Sequence, residues 1–101
     1  MKIKSGVRLN GLRPEMLIVL MIVQPILARY GQELVITSAL DSKHSKKSRH
    51  YVGCGLDIRT RDIVGDVNEV VGKIKADLGI EFYVAFEVNH IHISFLGSVT
   101  P

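Results

Sequence analysis

Apolar residues recur along this chain in two periods, and the changes from one to the other mark its elements. The first long apolar run, MLIVLMIVQPILA from Met16 to Ala28, follows Pro14 and Glu15. Proline suits the first position of a helix, where its missing N–H has no partner to lose, and a glutamate beside it complements the positive end of the helix dipole. The pattern predicts a helix from Pro14 to about Tyr30, with Gly31 as a left-handed C-terminal cap. Pro25, inside it, is expected to kink the helix or split it in two. Before it, Met1 to Arg13 scatters apolar residues among Gly6, Asn10 and Gly11 and reads as an irregular or short-strand lead-in.

After the helix, ELVITSAL (Glu33 to Leu40) is rich in β-branched and aliphatic residues and predicts a strand. The polar run Asp41 to Arg49 predicts a loop, and Gly55 to Arg59 a second strand that presents Asp57 on one face and Ile58 on the other. From Asp62 the period becomes helical: Ile63, Val67, Val70, Val71, Ile74 and Leu78 fall on one face, Asp66, Glu69, Lys73 and Lys75 on the solvent side, and Gly79 ends the run. Two strands follow, Glu81 to Val88 and His90 to Leu96, joined so closely at Asn89 that they form a tight hairpin or one bent strand. The tail Gly97 to Pro101 is expected to fray. This order predicts an α+β domain with two main helices packed on one face of a mainly antiparallel sheet, the other face left for a site.

Composition adds limits. With 101 residues, 47% of them hydrophobic, the chain is expected to be one domain, 1–101, around one core, and to be a monomer. The lone Cys54 excludes an internal disulfide and, between two glycines, reads as a small buried side chain. The apolar run, preceded by Lys2, Lys4, Arg8 and Arg13, superficially looks like a secretory signal. It is interrupted by Gln24 and Pro25 and falls short of the about 20 residues that a membrane span needs, so it reads as a core helix. The net charge of +3 is concentrated in Lys43, Lys46, Lys47, Arg49, Arg59 and Arg61. Such a cluster is a solvated loop or attracts an anionic polymer such as nucleic acid or teichoic acid. No aromatic residues are interleaved with the lysines for bases to stack on, so nucleic acid is not expected.

Candidate chemistry sits at two places. His50 and Asp57 stand seven residues apart with Gly53 and Gly55 between them, a spacing that lets both converge on one cation. In His90-Ile91-His92-Ile93-Ser94-Phe95 the alternation puts His90, His92 and Ser94 on one face, which is then either a polar surface or the source of a third ligand. Two histidines and an aspartate match a catalytic zinc, which keeps three protein ligands and an open position. A structural zinc wants four ligands and usually several cysteines. Peptide hydrolysis also needs a group to take and return a proton, for which Glu87 is the best placed carboxylate. His90 or His44 can hold the oxyanion or the attacking water. The competing reading is an ordinary polar sheet face, with Asp57 capping a turn.

These residues resemble a known family. Ser48-Arg49-His50-Tyr51-Val52-Gly53-Cys54-Gly55-Leu56-Asp57 resembles the SxHxxGxAxD signature of the zinc D-Ala-D-Ala carboxypeptidases and related phage endolysins, and His90-Ile91-His92 resembles their closing HxH. The run KHSKKSRHYVGCGLDIRTRD with HIHIS is similar to the signalling domain of hedgehog proteins, which shares that fold and zinc site. The resemblance covers about Leu34 to Phe95, and Gly55 departs from it where the signature prefers alanine. It implies a hedgehog/DD-peptidase-like fold, Zn2+ as cofactor, His50, Asp57 and His92 as metal ligands, Glu87 as catalytic base, and His90 and His44 beside the metal. Ser48 of the signature is expected to touch substrate. The run Thr37-Ser38-Ala39-Leu40 lacks the arginine that several carboxypeptidases use for the substrate carboxylate, which leaves Lys43 or Arg49 as substitutes and leaves room for an endopeptidase.

The resemblance thus implies a zinc metallopeptidase that hydrolyses a peptide bond in peptidoglycan cross-link or stem peptides. It would be made in the cytoplasm of a bacterial host and act on the cell wall after release or as part of a phage particle. The alternative is a non-catalytic, zinc-stabilised binding module of the hedgehog-like fold.

Overall fold

The computed structural model describes residues 1–39 and 54–96 of the chain. In order, the elements are β1 (Lys2–Ile3), α1 (Pro14–Arg29), β2 (Val35–Ser38), β3 (Gly55–Arg59), α2 (Val67–Leu78), β4 (Phe82–Glu87) and β5 (His90–Phe95). The α+β class follows from the sequence pattern, with two helices and a five-stranded sheet among the described residues. The sheet is mixed: its order is β1-β2-β3-β5-β4, with β1 parallel to β2 and every other pair antiparallel.

Helix α1 buries Met16, Val19, Leu20, Val23, Ile26 and Leu27, the three- and four-residue recurrence expected of one helical face. It runs unbroken through Pro25, so the expected split does not occur. An interior proline costs about 3 kcal/mol. Burying each of Val23, Ile26 and Leu27 around it returns ~1.5–3 kcal/mol, which is enough to carry the helix past the defect. Pro25 and Met21, whose carbonyl loses its helical partner, are both on the exposed side. Tyr30 is the cap residue and Gly31 follows it at φ +80, the left-handed conformation the sequence requires there. Gly31 N–H donates to the Ala28 carbonyl (3.2 Å) and Gln32 N–H to the Leu27 carbonyl (3.1 Å), a Schellman closure that turns the chain toward β2.

The bounds of β2 and α2 differ from expectation. β2 is shorter than the run Glu33 to Leu40, of which Leu40 lies outside the described residues. α2 begins at Val67 and not at Asp62, because Gly65 at φ +112 interrupts helical backbone and Asp66 caps the helix, accepting from the Asn68 N–H at 2.9 Å. Asp66 is therefore a cap and not a member of the helix's solvent side, and Ile63 packs against the core from the preceding turn. Of the two arrangements expected for the last strands, β4 and β5 form the tight hairpin, closed by Val88 and Asn89.

The core lies between the helices and one face of the sheet. Ile36, Leu56, Ile58, Val84, Ile91 and Ile93 meet Met16, Val19, Val23, Leu27, Val70 and Ile74, all essentially without solvent exposure, and Cys54 is buried with them. Alternation along each strand turns the intervening residues to the opposite face. No helix among the described residues is long and apolar enough to cross a membrane.

Candidate metal centre

Register decides what that second face carries. Asp57 pairs with His92 and Arg59 with His90 across β3 and β5, while His92 pairs with Ala85 and His90 with Glu87 across β5 and β4. One row across the sheet therefore reads Asp57, His92, Ala85, and the next Arg59, His90, Glu87. On the other side of Asp57, β2 carries a bulge: Ile36 pairs with Ile58 but Ser38 with Asp57, so two residues of β2 span one step of β3. The Thr37 hydroxyl donates to the Asp57 carbonyl at 3.3 Å, which ties the bulge to the strand that holds the aspartate.

His92 is held at both ring nitrogens. Nδ1 lies 2.8 Å from Asp57 Oδ1, and Nε2 contacts the hydroxyl of Ser94, two residues along on the same face. A carboxylate can only accept, so the contact with Asp57 puts a proton on Nδ1; in the neutral ring Nε2 then accepts from the Ser94 hydroxyl. Ser94 is buried, at 2% exposure, and serves as an anchor for the ring with no path to an outside molecule. Ala85 keeps the other flank of His92 uncrowded, and the Tyr83 ring lies 6.1 Å away, tilted.

His90 bridges the row to a second carboxylate. Its Nε2 stands 3.7 Å from Asp57 Oδ2 and 3.4 Å from Glu87 Oε1, and its Nδ1 faces Asn89 Oδ1 at 3.1 Å. Exposure grades outward: the side chains of Asp57 and His92 are 13% and 15% exposed, His90 27%, Glu87 46%. The recessed pair offers a carboxylate oxygen and an imidazole nitrogen facing one another, and Glu87 stands at the open rim.

The donor chemistry fits zinc. Zinc held at 2.0–2.2 Å by both atoms would need them about 3.3–3.6 Å apart, so the 2.8 Å pair would have to open by roughly 0.5–0.8 Å. A third ligand has to come from elsewhere, since among the described residues no three His, Cys, Asp or Glu side chains converge as a metal-binding group. His50, expected in that role, lies outside the described residues, as do His44, Lys43, Ser48 and Arg49. The structure thus brings together Asp57, His92, His90 and Glu87 of the residues singled out in the sequence. Ser94 as the partner of His92, and Thr37 as a support of Asp57, were not anticipated. The i, i+2 placement of Ser94 beside His92 was the available signal for the first, and a bulge leaves none for the second. Compared with models of known protein families, with curated sequences and with solved structures, the chain matches none.

Proposed function

We propose that this sheet face is the centre of a zinc-dependent metallopeptidase that hydrolyses a peptide bond in bacterial peptidoglycan cross-link or stem peptides. The observation that carries the reading is the placement of Glu87 and His90 at the rim of a recessed Asp57–His92 donor pair: a ligand set with an acid–base group beside it is what hydrolysis needs and a polar surface does not. His50, on a segment outside the described residues, completes the proposed ligand set with Asp57 and His92. When bound, zinc supplies Lewis acidity that polarises a scissile carbonyl and makes water nucleophilic near neutral pH.

The chain's own residues do the rest. Ser94 and the β3–β5 register fix His92 with Nδ1 toward Asp57. The Glu87 carboxylate takes a proton from the attacking water and returns it to the leaving amine. His90 Nε2, between Glu87 and Asp57, steadies the negative charge that develops on the carbonyl oxygen. Because both nitrogens of His92 are engaged and its side chain is 15% exposed, a second reading stands beside this one: a zinc-stabilised binding module without turnover.

Glu87→Gln separates them. For a peptidase, cleavage of cross-linked and linear wall peptides falls by about 10²-fold or more while zinc content and fold are unchanged. Cleavage at the wild-type rate in this variant, or none in a zinc-loaded wild type, overturns the peptidase reading.

A further inference from the structure

Beside the donor pair, on the same face, Lys4, Thr37, Arg59, Arg61, Asn89 and His90 line a cleft of about 330 Å³. Distant parts of the chain build it. Lys4 follows the edge strand β1, its N–H bonded to the Ile36 carbonyl at 2.9 Å, next to Thr37. Arg59 stands in register with His90, and the Thr60 hydroxyl donates to the Asn89 carbonyl at 3.0 Å, drawing the β4–β5 turn against the end of β3, beyond which Arg61 lies.

Three cations thus share one concavity, and none of the described residues lining it is acidic. Among the described residues no Asp or Glu forms an ion pair with Lys4, Arg59 or Arg61. Like charges gathered in a cleft raise the local potential, and two guanidinium groups with the Asn89 amide beside them offer the planar, multidentate donors that oxyanions accept best. His90 lines this cleft on one side and faces Asp57 and Glu87 on the other. A solvated surface would scatter these charges. Here strand register and the Thr60–Asn89 bond collect them.

We infer that the cleft is an oxyanion subsite, binding a carboxylate or phosphate carried by the molecule that occupies the adjoining centre. That the molecule is a wall peptide rests on the peptidase reading; the anion site stands on the cleft alone.

The test is a titration of the full chain, monitored by NMR at the Arg59 and Arg61 Nε–H signals and the Thr37 and Asn89 amides. The probes are N-acetyl-dialanine with a free carboxylate, the same dipeptide as its amide, and inorganic phosphate. We expect saturable shifts with one or both anions and none with the amide. Arg59→Gln and Arg61→Gln should each weaken binding by about tenfold, and Lys73→Gln on α2 should leave it unchanged. Tighter binding of phosphate than of the dipeptide assigns the site to a phosphate-bearing ligand, and the reverse to a peptide carboxylate. Absence of saturable shifts with either anion, or equal affinity in the Arg59→Gln and Lys73→Gln proteins, overturns the inference. Repeating the titration with zinc and with a chelator keeps the two readings apart: anion binding in a protein that takes no zinc preserves the subsite and removes the peptidase, and peptide cleavage without anion binding does the opposite.

Discussion

Asp57 Oδ1 and His92 Nδ1 lie 2.8 Å apart although 35 residues separate them in the chain. Their meeting needs no long reach, because they sit directly opposite in an antiparallel pair, where β-carbons are about 5 Å apart. What secures it is the other side of the sheet. A slip of one residue would send His92 into the core and turn Ile91 and Ile93 outward. Burial of Leu56, Ile58, Ile91 and Ile93 therefore locks the polar pair as firmly as its own hydrogen bond does.

Metal content tests the pair most directly. Wild-type protein supplied with zinc is expected to bind about one ion per chain, and Asp57→Ala, His92→Ala and His50→Ala each to lose it, measured by elemental analysis. Zinc at about 100 times its dissociation constant should stabilise the fold by ~2.7 kcal/mol, and a chelator should reverse the rise in Tm. Full zinc occupancy in His92→Ala would remove this residue from the ligand set.

Ser94→Ala removes the hydroxyl that holds the second nitrogen of His92. Loss of such a supporting contact typically weakens metal binding by about 10–100-fold. A purely packing role for Ser94 would leave the His92 ring unaffected. Nitrogen chemical shifts should instead move at Nε2, which loses its partner in the variant, while Nδ1 stays held by Asp57.

Val88 occupies a strained position. It closes the β4–β5 turn at φ +53 with its side chain 93% exposed, so a β-branched residue takes left-handed backbone with no burial in return. Val88→Asn is expected to stabilise the fold by about 1 kcal/mol. For a domain of this size that raises Tm by ~4–8 °C in a thermal melt. An unchanged or lowered Tm would mean that the valine is held there by something other than turn geometry.

The α+β class was legible because Val19, Val23 and Leu27, and later Val70 and Ile74, keep helical spacing, while His90 to Phe95 alternates without a break. Where the sequence misled, a local conformation overrode a periodic signal. Ile63 fits the helical phase of Val67 and Val70, yet Gly65 breaks the backbone between them. Pro25 signals a break that neighbouring burial overrides. At the site, alternation put Asp57 and His92 on polar faces of their strands but could not make those strands neighbours. Pairing order is non-local, and the basic cleft needed β1, a two-residue strand with no period to read.

The placement of β5 between β3 and β4 also governs when the site comes into being. Until the segment ending at Phe95 has been made, β3 has no partner on that side, Asp57 faces no histidine, and Leu56 and Ile58 lack Ile93 and Ile91 beside them. Such long-range pairing is slow relative to helix formation. The donor pair thus arises in the same event that completes the sheet, so a partly made or partly unfolded chain carries neither the recessed donors nor any activity that depends on them.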